Sequence, residues 1–401
     1  QTIMAGGYDV DYISDSFIKS TSCQDGMLKT SGGACYKALI VPAVKLVPVS
    51  TLKKLVALVR QGATVVFVEH YPEDVPGYAS LEQNRKQLFA LLEQLPGEKS
   101  FQGTQAFNFG KGRIIVGSDY HETLERTGVP AEELKTRWGV QFIRRTHTEG
   151  HHYFISDLQA NDVEGWVTLN VPEKHIMCFD PMTGKRGIAK TREVEGKTQV
   201  YMQLKSGESI ILQTFTRSLQ GEPEWKYRKE MDYSLSLDHG WKLRFVESYP
   251  AIEGEFKIDT PSSWTEIAHP AAKINRGTAL YSLELDLPEL SADDWVLDLG
   301  DVRESARVRI NGQEAGIAWA APFRLSIGQL LKSGKNLIEV EVTNLPANSI
   351  AEMDRQGKQW RIFEDINMAK LNYEKGTYGH WETLPSGLNG IVRLIPVKYL
   401  F

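Results

Sequence analysis

The sequence predicts a multidomain protein in which an α/β region is followed by two all-β regions. Three observations support this prediction: the length of 401 residues, apolar runs separated by helical patterns up to about residue 138, and two-residue alternation after that point. A chain of this length divides into about two to four domains, each with its own core. We place the regions at 1–140, 141–240 and 241–401.

In the first region, the apolar runs ALIVP, TVVFVE and RIIVGS each predict a short buried strand. Ser50 stands at a helix N-cap position after the first run, and Gly62 fits the residue just past the end of that helix. A second helical pattern runs from Leu81 to Leu95. Apolar strands that alternate with helices are typical of a parallel sheet covered on both faces, as in flavodoxin-like or amidotransferase-like domains.

Amidotransferase-like sheets place a catalytic cysteine at a strand-to-helix turn, but the turn after TVVFV offers Glu69 and His70 instead. Neither Cys23 nor Cys35 follows a clear strand with small flanking residues. No glycine-rich nucleotide-binding pattern follows any of the predicted strands. The α/β region is therefore predicted to be catalytically inert.

In the second region, HHYFIS, VEGWVTLNV and IMCFD are short strand patterns joined by turn-forming clusters such as DPMTG. They predict a small antiparallel β-sandwich. The polar segment 216–240 has no such pattern, so it is predicted to be a connector or an irregular wrap.

The third region begins at Trp241 and is again predicted to be all β. In LYSLELDL, one face of the strand is apolar, and its residues are Tyr281, Leu283, Leu285 and Leu287. Asn311-Gly312 predicts a hairpin with a two-residue type I′ turn, whose central residues need positive φ angles. The apolar stretch after this hairpin, IAWAAPF, is predicted to be core or a buried crossover.

Composition excludes several functional classes. The net charge of -5 arises from interspersed charges of both signs, so the basic patch of a nucleic-acid-binding protein is missing. No apolar run is long enough to span a membrane. Cys23 and Cys35 could close a short loop in an oxidising compartment, but two buried unpaired thiols are the favoured interpretation.

Three histidines, His147, His151 and His152, resemble a metal-binding cluster. Adjacent residues of a strand point to opposite faces, so at most one of the last two could join His147 in one site. A solvated turn is the favoured interpretation, and no metal site is predicted.

The segment 348–379 interrupts the strand pattern, and long insertions of this type often carry function. Its aromatic side chains could stack on the apolar face of a sugar, while its carboxylates could bind hydroxyl groups. The opposing interpretation, which is slightly favoured, is that the aromatic residues hold the loop against the sandwich or against a neighbouring domain. The candidate carbohydrate-binding residues are Trp360, Glu364, Asp365, Tyr378, His380 and Trp381.

Five motifs carry a family resemblance: GTALYSLELDLP, LDLGDVRESARVRINGQEAG, PFRLSI, LKSGKNLIEVEVTNL and LPSGLNGIVRL. Together they resemble the sugar-binding, galactose-binding-like jelly-roll domain of β-galactosidase-type glycoside hydrolases. With GWKLRF ahead of them, they are similar to the carboxy-terminal domain of bacterial α-L-rhamnosidases of glycoside hydrolase family 106. Upstream, GYDVDYISD, RRTHTEGHHYFISD and FDPMTGK resemble the accessory domains of the same family.

The resemblance implies that a catalytic (β/α)8 barrel of about 250 residues precedes these domains. The sequence begins in a pattern typical of mid-domain, and no family catalytic residue can be placed on it. The expected partners are plant cell-wall polysaccharide and the missing upstream catalytic domain, and the expected location is the periplasm or cell surface. No cofactor is predicted, although calcium stays open because carboxylate-rich loops of jelly rolls can hold that ion.

Three functional hypotheses remain: an accessory region of a rhamnosidase-like enzyme, a non-catalytic carbohydrate-binding protein with its site at 360–382, and a structural scaffold. The first is preferred. A functional amidotransferase is disfavoured because the nucleophile is missing.

Overall fold

A computed structural model describes residues 2–97, 103–288, 291–362 and 376–401. Most of these residues lie in β-sheets, with few helices. Their buried apolar side chains form three main clusters, within residues 18–116, 134–212 and 237–394. None of the helices in these four ranges is long and apolar enough to cross a membrane.

The amino-terminal region combines six helices with two sheets. The helices are α1 (Thr2–Ala5), α2 (Asp15–Ser20), α3 (Val49–Gln61), α4 (Leu81–Leu92), α5 (Tyr120–Glu125) and α6 (Glu133–Thr136). The strands are β1 (Ser22–Gln24), β2 (Met27–Lys29), β3 (Cys35–Tyr36), β4 (Ala38–Val41), β5 (Thr64–Val68), β6 (Gln105–Phe109) and β7 (Gly112–Gly117). One sheet has the order β4-β5-β7-β6 and the other the order β1-β2-β3.

The three predicted strands β4, β5 and β7 are parallel neighbours, and every residue of β5 is buried. The antiparallel edge strand β6 was not predicted; it forms a hairpin with β7. Gly62 follows α3 with φ 126, as predicted, because a residue without Cβ can adopt this conformation without strain. The N-cap prediction was wrong, because α3 begins at Val49 and Pro48, not Ser50, is its N-cap.

The middle region is a β-sandwich of two antiparallel sheets. Its strands are β8 (Gln141–His147), β9 (Gly150–Ser156), β10 (Val163–Leu169), β11 (His175–Phe179), β12 (Arg186–Ile188), β13 (Thr191–Val194), β14 (Lys197–Leu204) and β15 (Ser209–Phe215). The sheet orders are β10-β14-β13 and β12-β11-β15-β9-β8. Strand β14 alternates between buried and partly exposed residues along most of its length, which is typical of a strand with one face on a core.

The carboxy-terminal region contains thirteen strands and one α-helix among the residues that the structure describes. They are β16 (Tyr227–Glu230), β17 (Leu235–Ser236), β18 (Trp241–Tyr249), β19 (Glu255–Ile258), β20 (Arg276–Leu287), β21 (Asp294–Asp298), β22 (Val302–Arg303), β23 (Ser305–Ile310), β24 (Gln313–Ala318), β25 (Arg324–Ser326), β26 (Gly334–Thr343), α7 (Ala347–Arg355), β27 (Gly387–Leu388) and β28 (Arg393–Leu400). Short 3₁₀ helices span Trp264–Glu266, Pro270–Ile274 and Gly328–Leu330.

Two of the carboxy-terminal sheets enclose a shared core. One has the order β19-β18-β20-β26-β23-β24, and the other has the order β16-β28-β21-β25 with β17 also paired to β28. The segment 216–240 was predicted to be a connector or an irregular wrap. Two short strands within it, β16 and β17, extend the second sheet, and the rest of the segment contains no helix or strand. A separate two-stranded pair, β22-β27, joins two loops of the region.

Asn311 and Gly312 have φ angles of 53 and 79, which confirms the predicted type I′ hairpin between β23 and β24. The stretch after the hairpin is not uniformly buried as predicted. Ala318 is 4% exposed, but Ile317 and Trp319 are 43% and 62% exposed. The indole ring is therefore a surface group.

Candidate functional site

The aromatic segment of the third region lies against the end of helix α7. The sequence pattern did not predict this helix, which begins the insertion. Asp354, in its last turn, accepts a hydrogen bond from Trp360 Nε1 at 2.5 Å and another from the backbone N–H of Tyr378, also at 2.5 Å. Because these donors favour the ionised form, the hydrogen bond from the Trp360 indole lowers the pKa of Asp354 below its usual range, and the Tyr378 N–H lowers it further.

Three of the predicted carbohydrate-binding residues come together here. The ring centres of Trp360 and Tyr378 are 5.8 Å apart, and those of Tyr378 and Trp381 are 4.5 Å apart. The guanidinium carbon of Arg361 lies 5.1 Å from the ring centres of both Trp360 and Tyr378. We call Trp360, Tyr378 and Trp381 the aromatic cluster.

The remaining predicted residues differ in their position. His380 is exposed in the turn between Tyr378 and Trp381. Glu364 and Asp365 lie outside the described residues. Trp381 is 40% exposed, so part of its ring is open to a ligand. The assignment of this segment to carbohydrate binding stays a prediction.

A cleft of about 470 Å³ opens in the carboxy-terminal region. Hydroxyl groups line it from two directions: Ser262, Ser263 and Thr265 come from the segment around the first 3₁₀ helix, and Thr383 comes from the segment before β27. Ser263 and Thr265 are themselves buried, and their hydroxyl oxygens are 2.7 Å apart. The hydroxyl-bearing wall is thus part of the packed structure.

Charged and amide groups complete the lining of the cleft: Glu266, Lys273, Asp301 and Asn389. Asp301 forms an ion pair with Arg303, in which Nε lies 2.9 Å from Oδ1. Sequence analysis missed this cleft, because its residues come from separate loops and share no periodic pattern. The nearest sequence signal is the motif LPSGLNGIVRL, which contributes Pro385 and Asn389 to the wall.

Two pairings hold the walls of the cleft together. The Ser263 hydroxyl accepts a hydrogen bond from the backbone N–H of Ser386 at 2.9 Å. The Asn389 N–H donates to the Asp301 carbonyl at 2.8 Å, next to the β22-β27 pair. Backbone links of this kind fix the relative position of loops that are distant in sequence.

The histidine cluster shows the predicted strand geometry. The ring centres of His147 and His152 lie 4.5 Å apart on one face of the sheet. The His151 ring does not join them: its Nδ1 atom lies 3.2 Å from Glu173 Oε2. Burial, together with the nearby His147, lowers the pKa of His152. In the described ranges, no group of three or more His, Cys, Asp or Glu side chains could hold a metal ion.

The cysteines are free, but the prediction that Cys23 and Cys35 are buried was wrong: Cys23 is half-buried and Cys35 is exposed. They lie on β1 and β3, which flank β2 on opposite sides. Their Cα atoms are therefore about 10 Å apart, since neighbouring strands are spaced by about 4.8 Å. A disulfide needs a Cα separation below about 7 Å.

Comparison with known proteins gives three findings. Residues 2–191 match the family model of glycoside hydrolase family 106, described as α-L-rhamnosidase. A curated protein of Formosa agariphila, provisionally named a beta-glucuronidase, is 29% identical over 197 residues, which are 44% of this chain and 17% of that protein. The solved structure of a rhamnosidase from Novosphingobium sp. PP1Y is 25% identical, with a TM-score of 0.72 over 97% of this chain.

The chain spans 36% of the length of the solved rhamnosidase and 17% of the length of the curated relative. The family match covers the amino-terminal and much of the middle region, and the structural match extends through the carboxy-terminal region. The chain is therefore similar to glycoside hydrolase family 106 over residues 2–191 and has a rhamnosidase-like fold.

Proposed function

We propose that this chain is the carboxy-terminal accessory region of an α-L-rhamnosidase-type glycoside hydrolase, and that the catalytic (β/α)8 barrel precedes it. The observation that carries this proposal is the structural match, which covers 97% of this chain but only 36% of the rhamnosidase. A (β/α)8 barrel needs eight parallel strands. Among the described strands, only β4, β5 and β7 form parallel pairs.

We propose units at 1–140, 141–240 and 241–401. The three hydrophobic clusters support three units, although Leu134 and Val140 pack in the middle core and Leu237 packs in the third core. The strands β16 and β17 of the second unit extend a sheet of the third. We propose a flavodoxin-like fold for the first unit and a galactose-binding-like jelly roll for the third. In the complete enzyme these units would support the barrel and form part of the rim of its active site. The proposed substrate is a plant polysaccharide such as pectic rhamnogalacturonan, and the proposed location is the periplasm or cell surface.

The purified 401-residue chain is expected to release no rhamnose from an aryl α-L-rhamnoside, because the proposed acid and base carboxylates lie outside it. The measurement is the absorbance of the released phenol over hours at micromolar protein. The control is a rhamnosidase that contains its barrel, assayed alongside. Turnover by the chain at an enzyme-like rate would place the chemistry inside these residues and reject the proposal.

A second function, carbohydrate binding without catalysis, is favoured by the aromatic cluster. Tyr378 and Trp381 present two rings 4.5 Å apart, and Trp381 is 40% exposed. Partly exposed aromatic rings beside polar groups are a common arrangement in ligand sites. A purely structural scaffold would instead show no binding.

Trp381→Ala is expected to weaken binding of a rhamnogalacturonan oligosaccharide by about tenfold or more, because truncating a tryptophan in a binding site typically costs at least about 2 kcal/mol. Isothermal titration calorimetry measures the change. Trp319→Ala is the matched control, since Trp319 is also exposed but lies on the loop after β24. Equal affinities for the two variants would argue against the aromatic cluster as the site.

A further inference from the structure

The polar cleft of the carboxy-terminal region has the mixed chemistry that neutral hydroxyl-rich molecules require. Glu266 and Asp301 offer hydrogen-bond acceptors, Lys273 offers donors, and the hydroxyl groups of Ser262 and Thr265 can do both. A site for an anion would present mainly donors, and a site for a cation mainly oxygen acceptors. This lining matches neither pattern.

The charges of the cleft nearly cancel. Asp301 is paired with Arg303, and Glu266 is balanced by Lys273 on the same lining. A saccharide is uncharged along most of its surface, and each of its hydroxyl groups is both donor and acceptor. The cleft therefore suits a saccharide better than a strongly charged ligand.

One acceptor of the cleft has no internal hydrogen-bond partner. Asn389 Oδ1 is buried, and none of the described residues donates a hydrogen bond to it. The Asn389 side chain lines the cleft, and a rotation that turned this oxygen toward the cleft would let it accept a hydrogen bond from a ligand hydroxyl. The Asn389 backbone is held by its bond to Asp301, so the side chain is attached to a fixed wall.

The wall around Asn389 is tightly packed. At Gly390, a Cβ atom would lie 2.5 Å from the backbone nitrogen of Asp301 and 2.9 Å from Gly300 Cα. Only a residue without Cβ allows this approach, so the two loops form a preorganised surface. Preorganisation lowers the entropy cost of ligand binding.

The cleft and the aromatic cluster are neighbours along the chain. Trp381 precedes Thr383, a residue of the cleft wall, by two positions, so their Cα atoms are at most about 7 Å apart. Leu384, the next residue, exchanges two hydrogen bonds of 2.8 Å with the Asn348 side chain, which ties this segment to helix α7.

We infer that the cleft and the aromatic cluster form one extended saccharide-binding site, in which the aromatic rings contact one sugar unit and the polar cleft holds the next. This inference rests on the proposed carbohydrate-related function and adds a polar subsite to it. It predicts a ligand of at least two sugar units. The polar subsite supplies directional hydrogen bonds, and the rings supply apolar contact.

The test uses isothermal titration of the 401-residue chain with a rhamnogalacturonan tetrasaccharide and with free rhamnose. We expect the tetrasaccharide to bind at least about tenfold more tightly than rhamnose. Glu266→Gln is expected to weaken tetrasaccharide binding by about tenfold, since the amide keeps the shape of the carboxylate but accepts a weaker hydrogen bond than the charged group. Glu266 is exposed, so this variant should fold normally.

Glu314→Gln is the matched control, because Glu314 is exposed beside the hairpin turn, a strand length of about 20 Å from the cleft. Thr383→Val provides a second variant within the cleft and is also expected to weaken binding. Binding that is lost in Trp381→Ala but unchanged in both cleft variants would overturn the extended site while leaving the aromatic cluster. Equal affinity for rhamnose and tetrasaccharide, or no binding of either, would also overturn it. The hydrolysis assay does not depend on saccharide binding at this site. A failure of the accessory-region proposal can therefore be distinguished from a failure of the extended site.

Discussion

Replacing Glu132 with alanine is expected to lower the free energy of unfolding by about 3–5 kcal/mol, which is the usual cost of removing one partner from a buried ion pair. Glu132 is 1% exposed. One of its carboxylate oxygens, Oε1, lies 2.6 Å from Arg144 Nη1 and accepts a hydrogen bond of 2.8 Å from the Tyr153 hydroxyl. The other accepts a bond of 3.1 Å from the backbone N–H of Asn170.

The size of the effect follows from the position of this carboxylate. Its own backbone N–H donates to the Gly7 carbonyl, so the residue connects the first segment of the chain to α6 and to strands β8 and β9. Removing the side chain deprives the Arg144 guanidinium of its ion pair with the Glu132 carboxylate. The fully buried Tyr153 hydroxyl also loses its acceptor. Both losses destabilise the junction between the amino-terminal region and the β-sandwich.

Glu133→Ala is the matched control for this prediction. Glu133 is the next residue and pairs with Arg137 at 3.4 Å on the surface. Such pairs contribute about 0–1 kcal/mol. Urea denaturation followed by circular dichroism measures both variants. If the two variants had equal stability, the Glu132 network would be contributing nothing beyond a surface ion pair.

The different environments of these two glutamates could not be predicted from the sequence. In PAEELKT nothing distinguishes Glu132 from Glu133, because they are adjacent residues of the same type. The difference arises from residues about 12 to 125 positions away in the chain, which the fold brings to one of them only. A hydrogen-bond network of this kind has no local signal.

Strands with one buried face were predictable because successive side chains point to opposite faces, so every second residue is buried. Ile338, Val340 and Val342 of β26 alternate with charged residues along the sequence, a pattern that predicts one buried face, and all three are 0% exposed. The Asn311-Gly312 turn was predictable because its backbone conformation restricts the residue type. The weakly patterned strands β16 and β17 were missed because pairing with the distant strand β28 determines their conformation.

The candidate site was only partly predictable for the same reason. Aromatic composition pointed to Trp360, Tyr378 and Trp381, which do lie together. Asp354, which binds two of these residues, gave no signal because it lies in a helix that the sequence pattern did not reveal. The sequence did not predict the polar cleft, because serine, threonine and asparagine are common in loops of every kind. They form a cleft only where the fold brings several loops together.

Gly387→Ala is expected to destabilise the carboxy-terminal region by roughly 3 kcal/mol or more, through backbone strain and overpacking together. Gly387 has φ 94, which L-residues with a Cβ rarely adopt. A Cβ atom here would overlap Tyr281 Oη and lie 2.8 Å from Trp264 Cε3. Both aromatic side chains are 0% exposed, so neither has room to move.

Gly312→Ala separates the two contributions. Gly312 also has a positive φ, 79, but an added Cβ would meet no atom within 4 Å. Its substitution should therefore cost only the conformational strain, about 1–2 kcal/mol. Thermal unfolding followed by tryptophan fluorescence measures both variants, and the difference between them reports the overpacking against Tyr281 and Trp264.

The folded Gly387→Ala variant should also bind the tetrasaccharide more weakly, because this residue lies between Pro385 and Asn389 in the cleft wall. Moving β27 to relieve the overlap would shift its pairing with β22 and so displace Asn389 from Asp301. Gly312→Ala, at the opposite end of β23, should bind the tetrasaccharide like the unmodified chain. Equal stability and equal affinity for the two variants would mean that the backbone at residue 387 relaxes freely, and the cleft would then not be the rigid surface that its packing indicates.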